Sequence, residues 1–363
     1  MRIASVKVSV LCVKPAKPYQ AAGKTVAGFW HVLVEMTTTD KVVGLGYVVL
    51  LNEALVFSLA RATHELGQHL IGMHVLEPEA AWEALVAKGG WYGPGGFLNI
   101  AIAPLDIALW DAAGKSVEQP LYRMLGGFCN RLPVYASDGF WYDQTPEQLA
   151  QTARQYVSQG YGAVKLRLGH EGSAAAEVAR VKAVRDAVGS SVKIMVDATE
   201  TWDLATALDR GCALQDAGIH WLEDPIDTHN INGYARLGRQ LKVCIATGEH
   251  LYKVSDFLQL FETQSVGVAL IDLGRIGGIT PWRRVAALAH AHAIPVCGHV
   301  LPEVHVHLAT AVPNGYFVEY VPRSAPILKH MPAFEQGQMV AGEAPGLGIE
   351  LDRQAVARFL VSS

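Results

Sequence analysis

"AVKLRLG", Ala163 to Gly169, sets a lysine and an arginine two positions apart inside an otherwise apolar run. On a strand, residues two apart share a face, so Lys165 and Arg167 project together. Two cations in a buried segment are costly unless something anionic faces them. The runs that follow supply the anions. "VKIMVDAT" finishes at Asp197, "IHWLEDPI" at Glu223 and Asp224, "VCIATGEH" at Glu249 and His250, "GVALIDLG" at Asp272 and "IPVCGHV" at His299, while "YFVEYV" carries Glu319. With "LPVYASDG" ahead of them these make eight short apolar runs, most separated by amphipathic stretches such as "PEQLAQTARQYVSQG" and "AAAEVARVKAVRDAVG". Apolar strands with charged C-terminal ends describe a parallel (β/α) barrel, whose strand ends open onto the active face. An open doubly wound sheet fits less well, since no GxGxxG opens a helix after the first strand.

Upstream of the barrel the order is different. "RIASVKVSVLCV" and "FWHVLVEMTTTDKVVGLGYVVL" read as strands around a Thr-Thr-Asp-Lys turn, and alanine- and leucine-rich helical patterns follow. Strands first and helices later make an α+β unit. Downstream, "GLGIELDRQAVARFLVSS" carries a strand and a helix beyond the eighth barrel strand. The expected division is therefore 1–130 for an α+β unit, 131–321 for the barrel and 322–363 for a segment returning to the first unit.

A chain of 363 residues, half of them hydrophobic, suits a barrel with an attachment. A formal net charge of −4 leaves no basic footprint for nucleic acid. Five dispersed cysteines without CxxC spacing argue against a disulfide framework or a structural zinc site. The opening "MRIASVKVSV" alternates like a strand and lacks a leader's apolar block, and no apolar run is long enough to span a bilayer. A cytoplasmic protein with no membrane or nucleic-acid partner is expected.

Asp197, Glu223 and Glu249 recur at an interval of 26 residues, one βα unit, which puts three carboxylates at matching heights on neighbouring strands. Converging carboxylates repel unless a cation neutralises them. Oxygen ligands without cysteine favour Mg²⁺, with Mn²⁺ as the alternative. One such acid alone would read as a surface salt-bridge partner; the spaced trio reads as a metal site. Asp224 should point away from Glu223 by strand alternation and is left out of the set. Asp272 and His299 end consecutive strands, so the carboxylate can fix the imidazole tautomer and raise its basicity, making a general base. His305 and His307, on the following helical segment, read as packing or surface residues. Glu319 is either a buried, protonated carboxyl that donates a hydrogen bond to an oxyanion or a partner of a nearby lysine or arginine.

In "AVKLRLG", "IMVDA", "WLEDPI", "ATGEH", "IDLGRIGGIT" and "PVCGHV", in that order, the chain resembles the enolase superfamily and within it the mandelate racemase subgroup, the mandelate racemase/muconate lactonizing enzyme family. "APLDIALWDAAGK" resembles that family's capping-domain helix. The resemblance implies an N-terminal α+β capping domain on a modified (β/α)7β TIM-type barrel. It implies Mg²⁺-assisted removal of a proton α to a carboxylate, through an enediolate. Carried over, Asp197, Glu223 and Glu249 become metal ligands, Asp272 and His299 the base dyad, and Glu319 a hydrogen-bonding group on the substrate carboxylate. Lys165 matches the first lysine of the family's Lys-x-Lys motif. The loop Tyr19 to Thr25 would close over the substrate, and a homo-oligomer is expected because the family often assembles.

Arg167 departs from the pattern, standing where a second lysine usually acts as base. A guanidinium, with a pKa above about 12, is a poor base. Racemisation needs competent groups on both faces, whereas elimination needs one base and an acid for the leaving hydroxide, and one histidine serves both in turn. The expected activity is dehydration of a sugar acid, an aldonate or aldarate, to a 2-keto-3-deoxy acid. The alternative is an α-hydroxy acid racemase or epimerase; a Schiff-base aldolase on Lys165 and a barrel that only binds are weaker rivals. Thr199, in "DATE", also departs from the family's Asp-x-Asn. Trp141, Tyr142 and His250 are candidates for setting specificity.

Overall fold

A computed structural model describes residues 1–361 apart from Ala16, Ala22, Gly23 and Pro94, with only the backbone at Ala21 and Lys24. The chain begins with β1 (Ile3–Val13), a hairpin of β2 (Tyr19–Ala21) and β3 (Lys24–Val26), then β4 (Phe29–Thr38) and β5 (Val43–Leu50). The long strands form an antiparallel sheet in the order β1-β4-β5. Helices α1 (Val56–Gln68), α2 (Pro78–Gly89), α3 (Phe97–Ser116) and the short α4 (Leu121–Met124) follow. By length and composition α3 could cross a membrane, but it is the core helix of this cap, most of it buried. "VGLGY" explains its seat. Gly44 and Gly46 lie on one face of β5, and a Cβ on either would collide with the α3 backbone at Ala108 or Pro104.

The barrel strands are β6 (Arg131–Ala136), β7 (Ala163–Arg167), β8 (Lys193–Asp197), β9 (Trp221–Glu223), β10 (Cys244–Thr247), β11 (Val268–Asp272), β12 (Val296–His299) and β13 (Val318–Tyr320). Between them run α5 (Pro146–Ser158), α6 (Ala174–Val188), α7 (Leu204–Asp216), α8 (Ile231–Gln240), α9 (Val254–Glu262), the short α10 (Leu273–Ile276) with α11 (Ile279–Ala291), and α12 (Pro302–Ala311). Neighbouring strands from β6 to β12 pair in parallel, β13 pairs with β6, and a bridge between Val296 and Gly315 joins the remaining gap. This is the (β/α)7β arrangement.

Period-two alternation then builds the interior. Tyr135, Ala163, Met195, Trp221, Leu270, Cys297 and Phe317 form one apolar cluster inside the barrel. Two residues further along the same strands stand Lys165, Asp197, Glu223, Asp272, His299 and Glu319. An apolar plug at one level thus fixes a charged layer at the next.

The last segment carries β14 (Phe334–Glu335), β15 (Gln338–Val340) and α13 (Arg353–Phe359). β15 adds antiparallel to β6, and the chain then returns to the cap, where Val361 N–H donates to Val10 O at 2.9 Å. Cap and barrel are stitched by buried polar groups: Tyr47 donates to Glu303 at 2.5 Å, Asn99 to the carbonyls of Tyr252 and Arg275, and Trp82 to that of Gly277.

Candidate active site

The two cations of β7 meet their anions. Lys165 Nζ is ion-paired with Glu223, lies 2.9 Å from Glu319 Oε1 and 3.6 Å from Asp197 Oδ2, and is 1% exposed. Burial alone would lower its pKa, but Glu223, Glu319 and Asp197 outweigh burial and hold it well above its usual value. Arg167, paired in register with Asp197, donates to Ser137 O at 2.6 Å and to Ser137 Oγ at 3.1 Å. Its guanidinium carbon lies 4.0 Å from the ring centroid of Trp141. Burial opposes its charge, yet Asp197 and Glu319 keep its pKa raised, so it is a fixed cation.

Glu319 resolves between its two expected states. Its Oε2 accepts Val300 N–H at 2.8 Å and its Oε1 faces Lys165. Against burial, the Lys165 ammonium holds it well below the ordinary carboxylate range, so it is a carboxylate ion pair and not a protonated donor.

His299 and Asp272 face each other across β12 and β11. Nδ1 lies 2.6 Å from Asp272 Oδ2, which leaves Nε2 toward the barrel mouth, 3.4 Å from Glu249 Oε1. Burial disfavours the imidazolium, but Glu249 and the Asp272 hydrogen bond raise its pKa. Asp272 itself is held below its usual range: burial opposes this, and the His299 hydrogen bond overcomes it. Its Oδ1 caps α10 by accepting Arg275 N–H at 2.8 Å. Arg275, which the sequence reading did not single out, donates to Glu249 O at 3.0 Å and ties the dyad to the acid trio. Its position three residues after Asp272, as a helix-capping pattern, was the available signal.

The three acids of the 26-residue interval stand at the barrel mouth. Asp197 Oδ1 accepts Thr199 N–H at 2.8 Å and its hydroxyl at 3.1 Å. Glu223 Oε2 accepts Trp221 Nε1–H at 3.0 Å, and burial with the neighbouring Asp197 and Glu249 pushes Glu223 well up against the pull of Lys165. Glu249 Oε2 is buried and accepts nothing. An all-oxygen set with an unfilled acceptor on Glu249 and a raised Glu223 fits a hard divalent cation, which would be held by Asp197, Glu223 and Glu249.

Alternation does not remove Asp224 from the neighbourhood. Its backbone is left-handed (φ 38°), and its buried carboxyl has neither oxygen hydrogen-bonded. Donor atoms of Asp224, Glu249 and His250 lie within 4.8 Å of one another, a tighter set than the spaced trio, with which it shares Glu249. His250 sits among acids, 3.7 Å from Asp224, 3.5 Å from Glu249 and 3.8 Å from Glu200. Thr199 and Glu200 are also left-handed, at φ 47° and 58°, and Thr199 Oγ1 lies 2.6 Å from the Tyr142 hydroxyl. Consecutive left-handed residues other than glycine are strained, a frequent feature of functional loops. His305 and His307 are buried packing residues, with His305 bonded to Val300 O at 2.6 Å and His307 to Leu347 O at 3.1 Å.

A cavity of about 330 Å³ opens between cap and barrel on the His299 side. Its lining includes Asp272, His299 and Arg323 from the barrel side, and Val26, Leu51 and Asn52 from the cap. Of the expected closing loop, Tyr19 stacks on Trp141 with ring centroids 3.9 Å apart. Ala22 and Gly23 of that loop lie outside the described residues.

Two family models match the chain: the mandelate racemase / muconate lactonizing enzyme N-terminal domain over residues 5–126, and the enolase C-terminal domain-like family over 148–355. The L-talarate/galactarate dehydratase of Salmonella typhimurium is 31% identical over 291 residues, covering 80% of this chain and 73% of that enzyme. The 3,6-anhydro-alpha-L-galactonate cycloisomerase of Streptomyces coelicolor is 30% identical, covering 92% of each. The crystal structure of L-talarate dehydratase from Polaromonas sp. JS666, complexed with Mg and L-glucarate, superposes with a TM-score of 0.94 at 29% identity, covering 99% of this chain and 98% of that one.

Proposed function

From the premise that this chain belongs to the mandelate racemase/muconate lactonizing enzyme family of the enolase superfamily, we propose that it is a Mg²⁺-dependent acid-sugar dehydratase. The reaction removes the proton α to a carboxylate and expels a β-hydroxyl as water, leaving a 2-keto-3-deoxy acid. Mg²⁺, the ion in the crystallised relative, supplies positive charge where the carboxylate oxygens gain negative charge.

The chain's own groups do the rest. His299 Nε2 takes the α-proton while Asp272 holds Nδ1–H and stabilises the imidazolium. Lys165, fixed between Glu223 and Glu319, donates to the substrate carboxylate. The imidazolium then returns its proton to the departing hydroxyl, and the enol product tautomerises to the ketone. Substrate carbon, oxygen and proton counts balance with one water lost.

The observation that carries this reading is the fixed Arg167. Doubly bonded to Ser137 and stacked on Trp141, it offers charge but no basic nitrogen. Lys165 is tied into two ion pairs, so His299 is the one poised base. The test is a panel of aldonates and aldarates incubated with Mg²⁺ in D₂O, scoring 2-keto acid and α-deuterium together. Keto acid formation supports dehydration. Deuterated substrate of inverted configuration without loss of water would overturn it in favour of an isomerase, the activity class of the Streptomyces relative.

A further inference from the structure

The cavity beside His299 holds a cation that the proposed chemistry does not use. Two arginines line it, Arg275 and Arg323. The Arg275 guanidinium is committed to Glu249, donating to its carbonyl at 3.0 Å and lying 3.9 Å from its carboxylate. Arg323 is not committed in this way. It follows Glu319 by four residues, just past the end of β13, and its buried Nε has no hydrogen-bond partner. No carboxylate lies within 4 Å of it among the described residues; Asp138 stands farther off, where it feels both Arg323 and Arg167. Its neighbours are an aromatic ring, Phe29, with the guanidinium carbon 5.7 Å from the centroid, and the phenol of Tyr19 from the cap hairpin.

The remaining walls are mostly apolar, with Val26, Leu51, Ile100 and Leu301 among them. The guanidinium is half-buried, its Nε is shut away from water without a partner, and no carboxylate among the described residues comes within 4 Å to balance its charge. A hydroxyl satisfies one N–H and leaves the charge unbalanced, whereas a carboxylate satisfies the planar fork and the charge together. The same cavity includes His299, so a ligand whose α-carbon meets the imidazole extends its far end into this space, and the volume suits a small ligand.

We propose that Arg323 binds a second carboxylate at the far end of the substrate, making this a site for dicarboxylic sugar acids in preference to monocarboxylic ones. The assignment rests on the reading that the site acts at the α-carbon of a carboxylate, and it adds the chemistry at the other end.

The test uses two unreactive enediolate mimics of equal length, the five-carbon aldarate monohydroxamate and the aldonate hydroxamate, binding to the Mg²⁺-loaded full chain by calorimetry. The expected result is a preference of about tenfold or more for the diacid mimic, as a charge-assisted bidentate contact gives. Arg323→Gln brings the two mimics within about twofold by weakening the diacid alone. Arg323→Lys keeps charge without the fork and retains a reduced preference; should the glutamine variant fail to fold, the lysine variant decides. Equal binding of both mimics to the unaltered protein, or equal weakening of both by either variant, overturns the assignment while leaving the α-proton chemistry standing. Failure of both mimics to bind removes the chemistry and the assignment with it.

Discussion

Inside the barrel the same strands build two storeys of opposite character. The lower one is Tyr135, Ala163, Met195, Trp221, Leu270 and Phe317, apolar residues packed together. The upper one, two residues on, is a set of acids and bases paired with one another, and Glu249 beside it has an oxygen that accepts nothing. The lower storey answers to packing, where shape and area decide. The upper storey answers to charge balance, and it is left incomplete because a cation and a substrate complete it. A strand period of two converts one requirement into the other over less than 7 Å. Stability and chemistry should therefore separate under mutation.

The largest separation is expected at His299. Replacing it with asparagine removes the base while keeping an amide near Asp272, so turnover by the Mg²⁺-loaded enzyme falls by about 10³-fold. Its melting temperature should hardly move. The converse is Leu270→Ala in the lower storey, which costs about 2–5 kcal/mol of stability by leaving a cavity. The folded fraction should keep its kcat. Denaturant titration alongside single-turnover kinetics checks both. If Leu270→Ala lowered kcat as far as His299→Asn does, the two storeys would not be separable and the comparison would fail.

The histidines repeat the contrast on a smaller scale. His299 has its pKa raised by Glu249 and Asp272, against burial. His305, six residues on, is lowered by burial to about 4, and so are His31 and His307. In the unfolded chain each binds a proton near 6.5, while in the fold it does so only near 4. Their neutral burial therefore costs nothing above pH 6.5, and stability is lost as pH falls from 6.5 toward 4, by about 3 kcal/mol per group over the whole window. Asp106, lifted by burial to about 7, works in the opposite sense across the same range. Asp111, Glu303 and His299, all raised in the fold, act with Asp106, so the share of the buried histidines shows only when one of them is replaced. Melting curves at pH 7, 6 and 5 for His307→Gln beside the unaltered protein should show the variant losing less stability on acidification; an unchanged difference between the two would mean that His307 is not held neutral.

The sequence displayed the storeys because alternation and strand ends are local. Lys165, Asp197, Glu223, Asp272, His299 and Glu319 could all be placed by counting along their own strands. What depended on distant partners was hidden. The ionisation of Glu319 is decided by Lys165, two strands round the barrel, and by the Val300 N–H, neither of them near it in sequence. Asp224 escaped because its left-handed backbone takes it out of simple alternation. Arg323 stood in the open, but nothing local told that a cavity lay in front of it.

The smallest effect tests the rim where the upper storey meets the cap side. Tyr142 reaches Thr199 Oγ1 at 2.6 Å, and Thr199 in turn donates to Asp197 Oδ1 by both its N–H and its hydroxyl. Tyr142→Phe removes the outer link of this chain while the two bonds on Asp197 remain. Burial and the nearby Asp197 push the Tyr142 phenol up to about 12, so it acts as a neutral hydrogen-bonding group and its loss changes no charge. The expected cost is about 1 kcal/mol, seen as a severalfold change in Mg²⁺ or substrate affinity with kcat within about twofold. Calorimetric Mg²⁺ binding and steady-state kinetics on the same preparation measure it. A loss as large as that of His299→Asn would mean that Thr199 needs the phenol to orient Asp197, and would move Tyr142 from the rim into the charged layer itself.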